Sequence, residues 1–393
     1  MIPWWGRPFQ FASGLAVWIY VHIAYRVRMW GRLPRHRRSA IVISNHQNEL
    51  DLMAFTAYGF LTTGRRRPFM AATAKLLFEP GFMAVRIPWM WRPLRKLNMD
   101  RFFMAIGLLP IENELQSRSI ARWAWSVERL HGQLALENIF KQAIVDRYDL
   151  RGLRTRDLFS PEHFKQAQDT YVRITDLQPP FGKEQMELMR SGVSEDLGRF
   201  EDVVRRGATL YVTPEGDYTV DGAMLSFRSI WDRLEPLAEE IYVAAISYDP
   251  FSPKFSQLYH VVPLRRRDRA REELCAARAV TVSALLSGWM IQKTGAFTEE
   301  EATAAVQESL QKLPAEAFVD PELSEAPDAV TRRALAAMLA QGSIERTGGG
   351  YTLTEKRKHP SFPMVDDIVA FQARVIGETL AAAQSIQARL PSP

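Results

Sequence analysis

A histidine and an aspartate stand five residues apart at the end of a short apolar run. Residues 40–44 read Ala-Ile-Val-Ile-Ser, the pattern of a buried strand, and His46 and Asp51 follow in Asn-His-Gln-Asn-Glu-Leu-Asp. A turn from strand to helix can bring the Asp51 carboxylate back to one imidazole nitrogen. The other nitrogen then accepts a proton, as a general base must. The spacing alone is a weak signal, because Asp51 would equally cap a helix beside a surface histidine.

A second apolar run ends in residues that suit ligand binding. Residues 208–213 predict a strand, and Pro-Glu-Gly-Asp follows at 214–217. Open α/β sheets bind ligands at the carboxyl ends of their strands. Glu215 can hold a hydroxyl group or orient its neighbours, and Gly216 lets backbone amides approach a ligand oxygen. An isolated Pro-Glu-Gly would equally mark a turn.

The segments around these motifs predict an α/β fold. A third strand is expected at 241–247, and helices are expected from 51 to 58 and from 195 to 206. Strands separated by helices favour a sheet with parallel pairs. After about Arg271 the strand patterns disappear and the chain is predicted to be mostly helical.

The first 38 residues combine an apolar run with a cluster of arginines. Residues 9–25 carry no formal charge, and six arginines follow between 26 and 38. The run is at the short limit for a membrane-spanning helix, and its positive charge follows the apolar part, unlike a signal peptide. We expect an interfacial or shallowly inserted helix with the arginines against anionic lipid. A surface helix packed on the protein body is the alternative.

Composition narrows the class of protein without choosing a ligand. The 393 residues are 47% hydrophobic and 24% charged, which excludes wholesale disorder. The single cysteine, Cys275, excludes a disulfide framework and a cysteine-rich zinc site within one chain. A net charge of +5 suits an anionic membrane face, phosphorylated ligands or nucleic acid.

In this order the two motifs resemble those of the glycerolipid acyltransferase family, which contains the 1-acylglycerol-3-phosphate acyltransferases. That family carries an Asn-His-x-x-x-x-Asp block and a later Pro-Glu-Gly block. The resemblance covers roughly residues 10 to 250 and implies an acyltransferase-type mixed sheet flanked by helices. The matching stretches are 41–51 and 207–216, with further likeness at 107–111, 222–228 and 242–246.

The resemblance implies a direct acyl transfer without a metal or a cofactor. His46 would deprotonate the acceptor hydroxyl, which attacks the thioester of acyl-CoA or acyl-carrier protein, and Asp51 would orient His46. The acceptor would be a lysolipid at a membrane surface. The residues that the resemblance assigns to substrate binding are Asn45, Glu215, Gly216, Asp217 and Arg228.

Two departures from the family pattern concern the acceptor's phosphate. The second block commonly ends in an arginine, but residues 111–114 read Ile-Glu-Asn-Glu, and Asp-Tyr replaces the usual Thr-Arg at 217–218. Arg228, Arg101 or Arg118 would have to replace the missing charge. 1-Acylglycerol-3-phosphate is therefore the default acceptor, and a lyso-ornithine lipid, another lysophospholipid or an alcohol is the alternative. A third hypothesis for the function is a catalytically silent lipid-binding scaffold.

The chain is predicted to have three parts. Residues 1–38 form a membrane-association segment, 39–270 an acyltransferase domain with an insertion around 112–200, and 271–393 a helical C-terminal region. A helix at 334–341 and a glycine-tipped hairpin after it have the outline of a winged helix. DNA recognition needs several cations on one face, and this helix has none, so we predict a packing or regulatory appendage and no nucleic-acid partner. The expected location is the cytoplasmic face of a membrane.

Overall fold

The computed structural model describes residues 6–33, 38–48, 51–63, 68–74, 78, 100–111, 117–217, 219–355 and 357–389. The chain divides into two compact units. The first comprises residues 1–71 and 201–393, and the second comprises 72–200. The N-terminal segment and the C-terminal region therefore belong to the same unit as both motifs, and the predicted insertion lies in the second unit.

A seven-stranded, mostly parallel mixed sheet confirms the predicted α/β class. Its order is β1-β9-β8-β2-β7-β3-β4, and all neighbours with a described register are parallel except β8 and β9. The predicted strands at 40–44, 208–213 and 241–247 are its central members. The strands are β1 (Arg26–Gly31), β2 (Ala40–Ile43), β3 (Phe69–Ala74), β4 (Leu108–Ile111), β7 (Thr209–Val212), β8 (Glu240–Asp249) and β9 (Ser256–Pro263).

The two central strands bring both motifs to one edge of the sheet. Every residue of β2 and of β7 is buried, as expected of parallel strands covered on both faces. The strands run parallel, and Ile43 lies opposite Val212. Both strands therefore end side by side, and the segments that carry the two motifs begin at the carboxyl edge of the sheet.

Two helices near the N-terminus pack closely on each other. They are α1 (Gly6–Ala24) and α2 (Asp51–Thr62). Gly14 permits the contact, since a Cβ atom there would lie 2.9 Å from Cβ of Phe60. Gln10 is buried and its Nε2 donates to the carbonyl oxygen of Phe69 at 2.8 Å. Within the described part of the chain, no helix is long and apolar enough to cross a membrane.

Two of the N-terminal arginines form ion pairs within the protein. Arg26 and Arg28 lie on β1 and pair with acidic residues of the C-terminal region. Arg28 donates two bonds of 2.6 and 2.7 Å to Asp320, and Arg26 lies 2.7 Å from Glu322. These ion pairs join β1 to the C-terminal region and leave the Arg28 side chain 15% and the Arg26 side chain 46% exposed. Of the other four, Arg32 and Arg38 are exposed, and positions 35 and 37 lie outside the described residues.

The second unit has its own small core. Trp123 is fully buried there, and its Nε1 donates to the carbonyl oxygen of Val172 at 3.0 Å. Antiparallel strands β5 (Ser117–Ser119) and β6 (Tyr171–Arg173) lie beside it. The helices that begin in this unit are α3 (Asp100–Ala105), α4 (Ile120–His131), α5 (Leu136–Ile139), α6 (Gln142–Arg147), α7 (Pro161–Asp169) and α8 (Phe181–Arg205).

The C-terminal region is helical, as predicted, and contains the predicted hairpin. Strands β10 (Ile344–Thr347) and β11 (Gly350–Leu353) are antiparallel, and Phe297 bonds to Tyr351 beside them. The last helix packs along two earlier ones, α10 and α11. The helices after β7 are α9 (Ser229–Leu234), α10 (Ala270–Ala276), α11 (Val282–Gln292), α12 (Glu299–Gln311), α13 (Pro321–Glu325), α14 (Pro327–Ala340) and α15 (Ile368–Gln387).

Candidate active site

The structure brings His46 and Asp51 together as the sequence predicts. Nδ1 of His46 lies 3.1 Å from Oδ2 of Asp51. The same oxygen accepts bonds from the backbone amides of Gln47 at 2.6 Å and Asn48 at 2.9 Å. Asp51 is fully buried and is the first residue of α2. The carboxylate therefore shapes the turn, begins the helix and orients the imidazole at once.

The partner of Nδ1 determines which nitrogen of His46 can accept a proton. A carboxylate oxygen only accepts hydrogen bonds, so Nδ1 carries the hydrogen and Nε2 carries the lone pair. The His46 side chain keeps 12% of its surface exposed, whereas Asp51 keeps none. This is the arrangement of a general base with a buried orienting group.

Glu215 joins the two motifs through backbone amides. Its Oε1 accepts from the amide of His46 at 2.9 Å, and its Oε2 accepts from the amide of Leu225 at 2.7 Å. Burial raises the pKa of Glu215 to about 7, although both amide bonds and the nearby charge of Arg278 favour the ionised form. Of the two roles that the sequence suggested, this geometry provides the orientation of neighbours.

Asn45 also acts on the backbone. Its Oδ1 accepts from the amide of Ile246 at 2.7 Å, and its Nδ2 donates to the carbonyl oxygen of Ile246 at 2.9 Å. The side chain is buried. Asn45, which the resemblance assigns to substrate binding, thus ties the end of β2 to β8. It thereby fixes the backbone directly before His46.

Gly216 and Arg228 meet at the Pro-Glu-Gly turn. Gly216 has a φ of +70°, and a Cβ atom there would lie 2.6 Å from Nε of Arg228. The amide of Arg228 donates to the carbonyl oxygen of Pro214 at 2.9 Å, which closes the loop back onto the turn. Arg228 and Asp217 are both exposed. Arg228 is therefore the cation that the structure places at this turn among the three the sequence offered.

The other two candidate arginines lie in the second unit. Arg101 is exposed on α3, and Arg118 is buried with its guanidinium 5.0 Å from the ring centre of Trp123. The Glu-Asn-Glu stretch at 112–114 and Tyr218, which mark the departures from the family pattern, lie outside the described residues.

Sequence reasoning missed the contribution of the C-terminal region. Asn48, beside the histidine turn, donates its Nδ2 to the carbonyl oxygen of Ser361. Glu378 accepts from the amide of Met224, one residue before Leu225, whose own amide donates to Glu215. Arg278 is buried close enough to influence Glu215. The one available signal was this lone charge in the apolar stretch Cys-Ala-Ala-Arg-Ala-Val at 275–280.

Fold and site define an α/β protein with a carboxylate-oriented histidine at the carboxyl edge of a mostly parallel sheet. No protein-family model and no curated protein matches the chain.

Glu215 predicts a pH dependence of stability. Burial raises its folded pKa from the ordinary 4.5 to about 7, so the folded protein binds this proton more tightly than the unfolded chain does. The resulting stabilisation is complete below the unfolded pKa and is lost as the pH rises through the folded one. Relative to Glu215→Gln, the free energy of unfolding of the wild type should fall by about 2 to 3 kcal/mol between about pH 5 and 8. Urea unfolding at each pH measures it, and a pH-independent difference would refute the assignment.

Proposed function

We propose that this protein is an O-acyltransferase that moves a fatty acyl group from acyl-CoA or acyl-carrier protein to a lipid hydroxyl. The observation that carries the proposal is the 3.1 Å contact between Nδ1 of His46 and buried Asp51, which leaves Nε2 as the proton acceptor. An acyltransferase-type sheet, with both motifs at its carboxyl edge, is the matching interpretation of the fold. The reaction needs no metal and no cofactor beyond the acyl donor.

In the proposed reaction Nε2 of His46 takes the proton of the acceptor hydroxyl while its oxygen attacks the thioester carbonyl. The tetrahedral intermediate then collapses, the carbon–sulfur bond breaks, and the proton on His46 passes to the leaving thiolate. The products are an ester and a free thiol. The imidazolium that forms between these steps is stabilised by the Asp51 carboxylate, whose charge acts strongly because it is buried.

Arg228 favours an acceptor that carries a phosphate. The exposed guanidinium of Arg228 lies against Gly216. Both residues belong to the loop in which the amide of Leu225 donates to Glu215. A cation at that place can form charge-assisted bonds with a phosphate and so substitute for a missing family arginine. We therefore retain 1-acylglycerol-3-phosphate as the default acceptor. The other lysolipids or alcohols remain the alternative.

The site geometry disfavours the hypothesis of a catalytically silent lipid-binding scaffold. Asp51 binds the ring of His46 in addition to the backbone amides of the turn, and a purely structural turn does not require the bond to the ring. We propose that the winged-helix-like outline of the C-terminal region is a packing or regulatory element. The observed helix α14 begins earlier than the predicted one and includes Arg332 and Arg333. These arginines lie 3.9 Å from Glu299 and 2.8 Å from Glu322, so their charges are paired within the protein.

The outer face of α1 supports association with a membrane surface. Exposed large apolar side chains recur along it, with Leu15, Ile19 and Ile23 four residues apart, and no Asp or Glu occurs between Gly6 and Ala24. Near its end, exposed Lys254 donates to the carbonyl oxygen of His22 at 2.9 Å and adds a positive charge. We propose that this face lies in the interface of an anionic leaflet, on the cytoplasmic side. The stripe contains Phe9, Leu15, Ile19, Tyr20 and Ile23.

Replacement of the base tests the chemistry. His46→Ala should lower the rate of acyl transfer by at least about 100-fold, because the imidazole that takes the hydroxyl proton is removed. The free energy of unfolding should change by only about 1 kcal/mol, the worth of one hydrogen bond. The measurement is transfer of radiolabelled acyl groups from acyl-CoA and acyl-carrier protein to lysophosphatidate, other lysophospholipids and neutral alcohols.

His163→Ala is the matched control, because His163 lies in the second unit and has no place in the mechanism. It should keep wild-type activity. A fully active His46→Ala variant would defeat the proposed mechanism. Wild-type protein that binds lipid but acylates none of the acceptors would favour the scaffold.

Charge placed on the outer face of α1 tests the membrane proposal. The Ile19→Glu/Ile23→Glu variant should bind vesicles of anionic phospholipid at least about tenfold more weakly, because two apolar side chains no longer enter the interface. Sedimentation with vesicles measures the binding. Ile291→Glu changes an equally exposed isoleucine of α11 and should bind as the wild type does. Equal loss in both variants would contradict a specific role for α1.

A further inference from the structure

Two helices of the C-terminal region hold the loop that supplies the second amide to Glu215. Oε2 of Glu378, on α15, accepts from the amide of Met224 at 2.8 Å. Arg271, on α10, donates to the carbonyl oxygens of Met224 at 2.6 Å and Leu225 at 3.2 Å. The peptide groups on both sides of the Leu225 amide are thus fixed by charged side chains.

The same loop also lies directly against the backbone of α15. Gly222 has a φ of +87°, and a Cβ atom there would lie 2.4 Å from the carbonyl oxygen of Phe371. Any side chain at this position would push the loop off the helix. The position of Leu225 therefore depends on α15 through both backbone contact and hydrogen bonding.

Arg278 lies beneath this arrangement and is not fully satisfied. Its side chain is 1% exposed, and its Nη2 donates to Glu378 at 3.2 Å and to Sγ of Cys275 at 3.0 Å. Its Nε and Nη1 have no hydrogen-bond partner among the described residues. Burial of a guanidinium in this state is costly. Its charge reaches Glu215, where it favours the ionised carboxylate.

We propose that Arg278, Arg271 and Glu378 form a positioning network for the active site, although they lie far outside both sequence motifs. The network fixes Leu225 and favours the ionised form of Glu215, and Glu215 in turn holds the backbone of His46. The effect on acyl transfer rests on the proposed function, whereas the effect on Glu215 does not.

The two charges of the network act on Glu215 in opposite senses. Arg278 stabilises the carboxylate, and Glu378 partly neutralises Arg278. Among the described residues, the other charged or titratable groups near Glu215 and Arg278 are His46, with Asp51 behind it, Arg228 on the loop of Glu215, and Cys275 against Arg278. These groups stay unchanged when the network is altered. Loss of Arg278 should therefore raise the pH at which Glu215 titrates, and loss of the Glu378 charge should lower it.

Carbon NMR of protein labelled at the glutamate carboxyl groups measures this titration directly. Glu215→Gln identifies the signal by its disappearance. The midpoint of Glu215 should move upward in Arg278→Gln, move downward in Glu378→Gln, and return toward the wild-type value in Arg278→Lys. Glu308→Gln removes an exposed partner of Lys312 and should leave it unchanged. Shifts in the same direction, or no shifts, would overturn the network.

Two further readouts separate the network from the enzymatic proposal. Hydrogen exchange at the amides of His46 and Leu225 should be at least about tenfold faster in Arg271→Gln, which removes the bonds to the carbonyl oxygens of Met224 and Leu225, whereas a purely local packing role would accelerate only α10 and α15. Acyl transfer by Arg278→Gln near pH 7 should fall about tenfold and recover at higher pH, where Glu215 ionises again. Opposite NMR shifts in a protein without acyl transfer would sustain the network and reject the proposed function. If Arg278→Gln does not fold, Glu378→Gln and Arg278→Lys decide the outcome.

Discussion

The site depends on two buried carboxylates whose hydrogen bonds come mainly from backbone amides. Asp51 holds the amides of Gln47 and Asn48 and the ring of His46, and Glu215 holds the amides of His46 and Leu225. A buried charge is tolerable only with such partners, so each carboxylate forces its loop into one conformation. His46 is the residue that both carboxylates bind. Its backbone and its ring are therefore fixed by different acids.

The sheet and the C-terminal region supply what these carboxylates need. Parallel neighbours β2 and β7 deliver the two loops to one edge, and Asn45 attaches the first loop to β8. Helices α10 and α15 hold the second loop from the other side. The ion pair between Arg28 and Asp320 joins the N-terminal strand to the same region. The helical C-terminal region is thus part of the structure that shapes the site.

The sequence predicted what depends on local pattern and missed what depends on distant contact. Buried runs ending in polar motifs located β2 and β7, and the spacing of His46 and Asp51 gave their contact. Glu215 was recognised, but its bond to Leu225 could not be, because both partners lie on irregular loops. The ion pairs of Arg26 and Arg28 could not be predicted either, because their acidic partners are almost 300 residues away in the sequence. No periodicity reports such a pairing.

The central claim is that Asp51 fixes His46 with the hydrogen on Nδ1 and the lone pair on Nε2. Nitrogen NMR of protein labelled at its histidine rings measures this directly, with His46→Ala to assign the signals. The account predicts that neutral His46 is protonated at Nδ1, and that Asp51→Asn weakens or reverses this preference. A neutral His46 protonated at Nε2 in the wild type would contradict the account, because that ring could not take a proton from an acceptor at the open edge of the sheet.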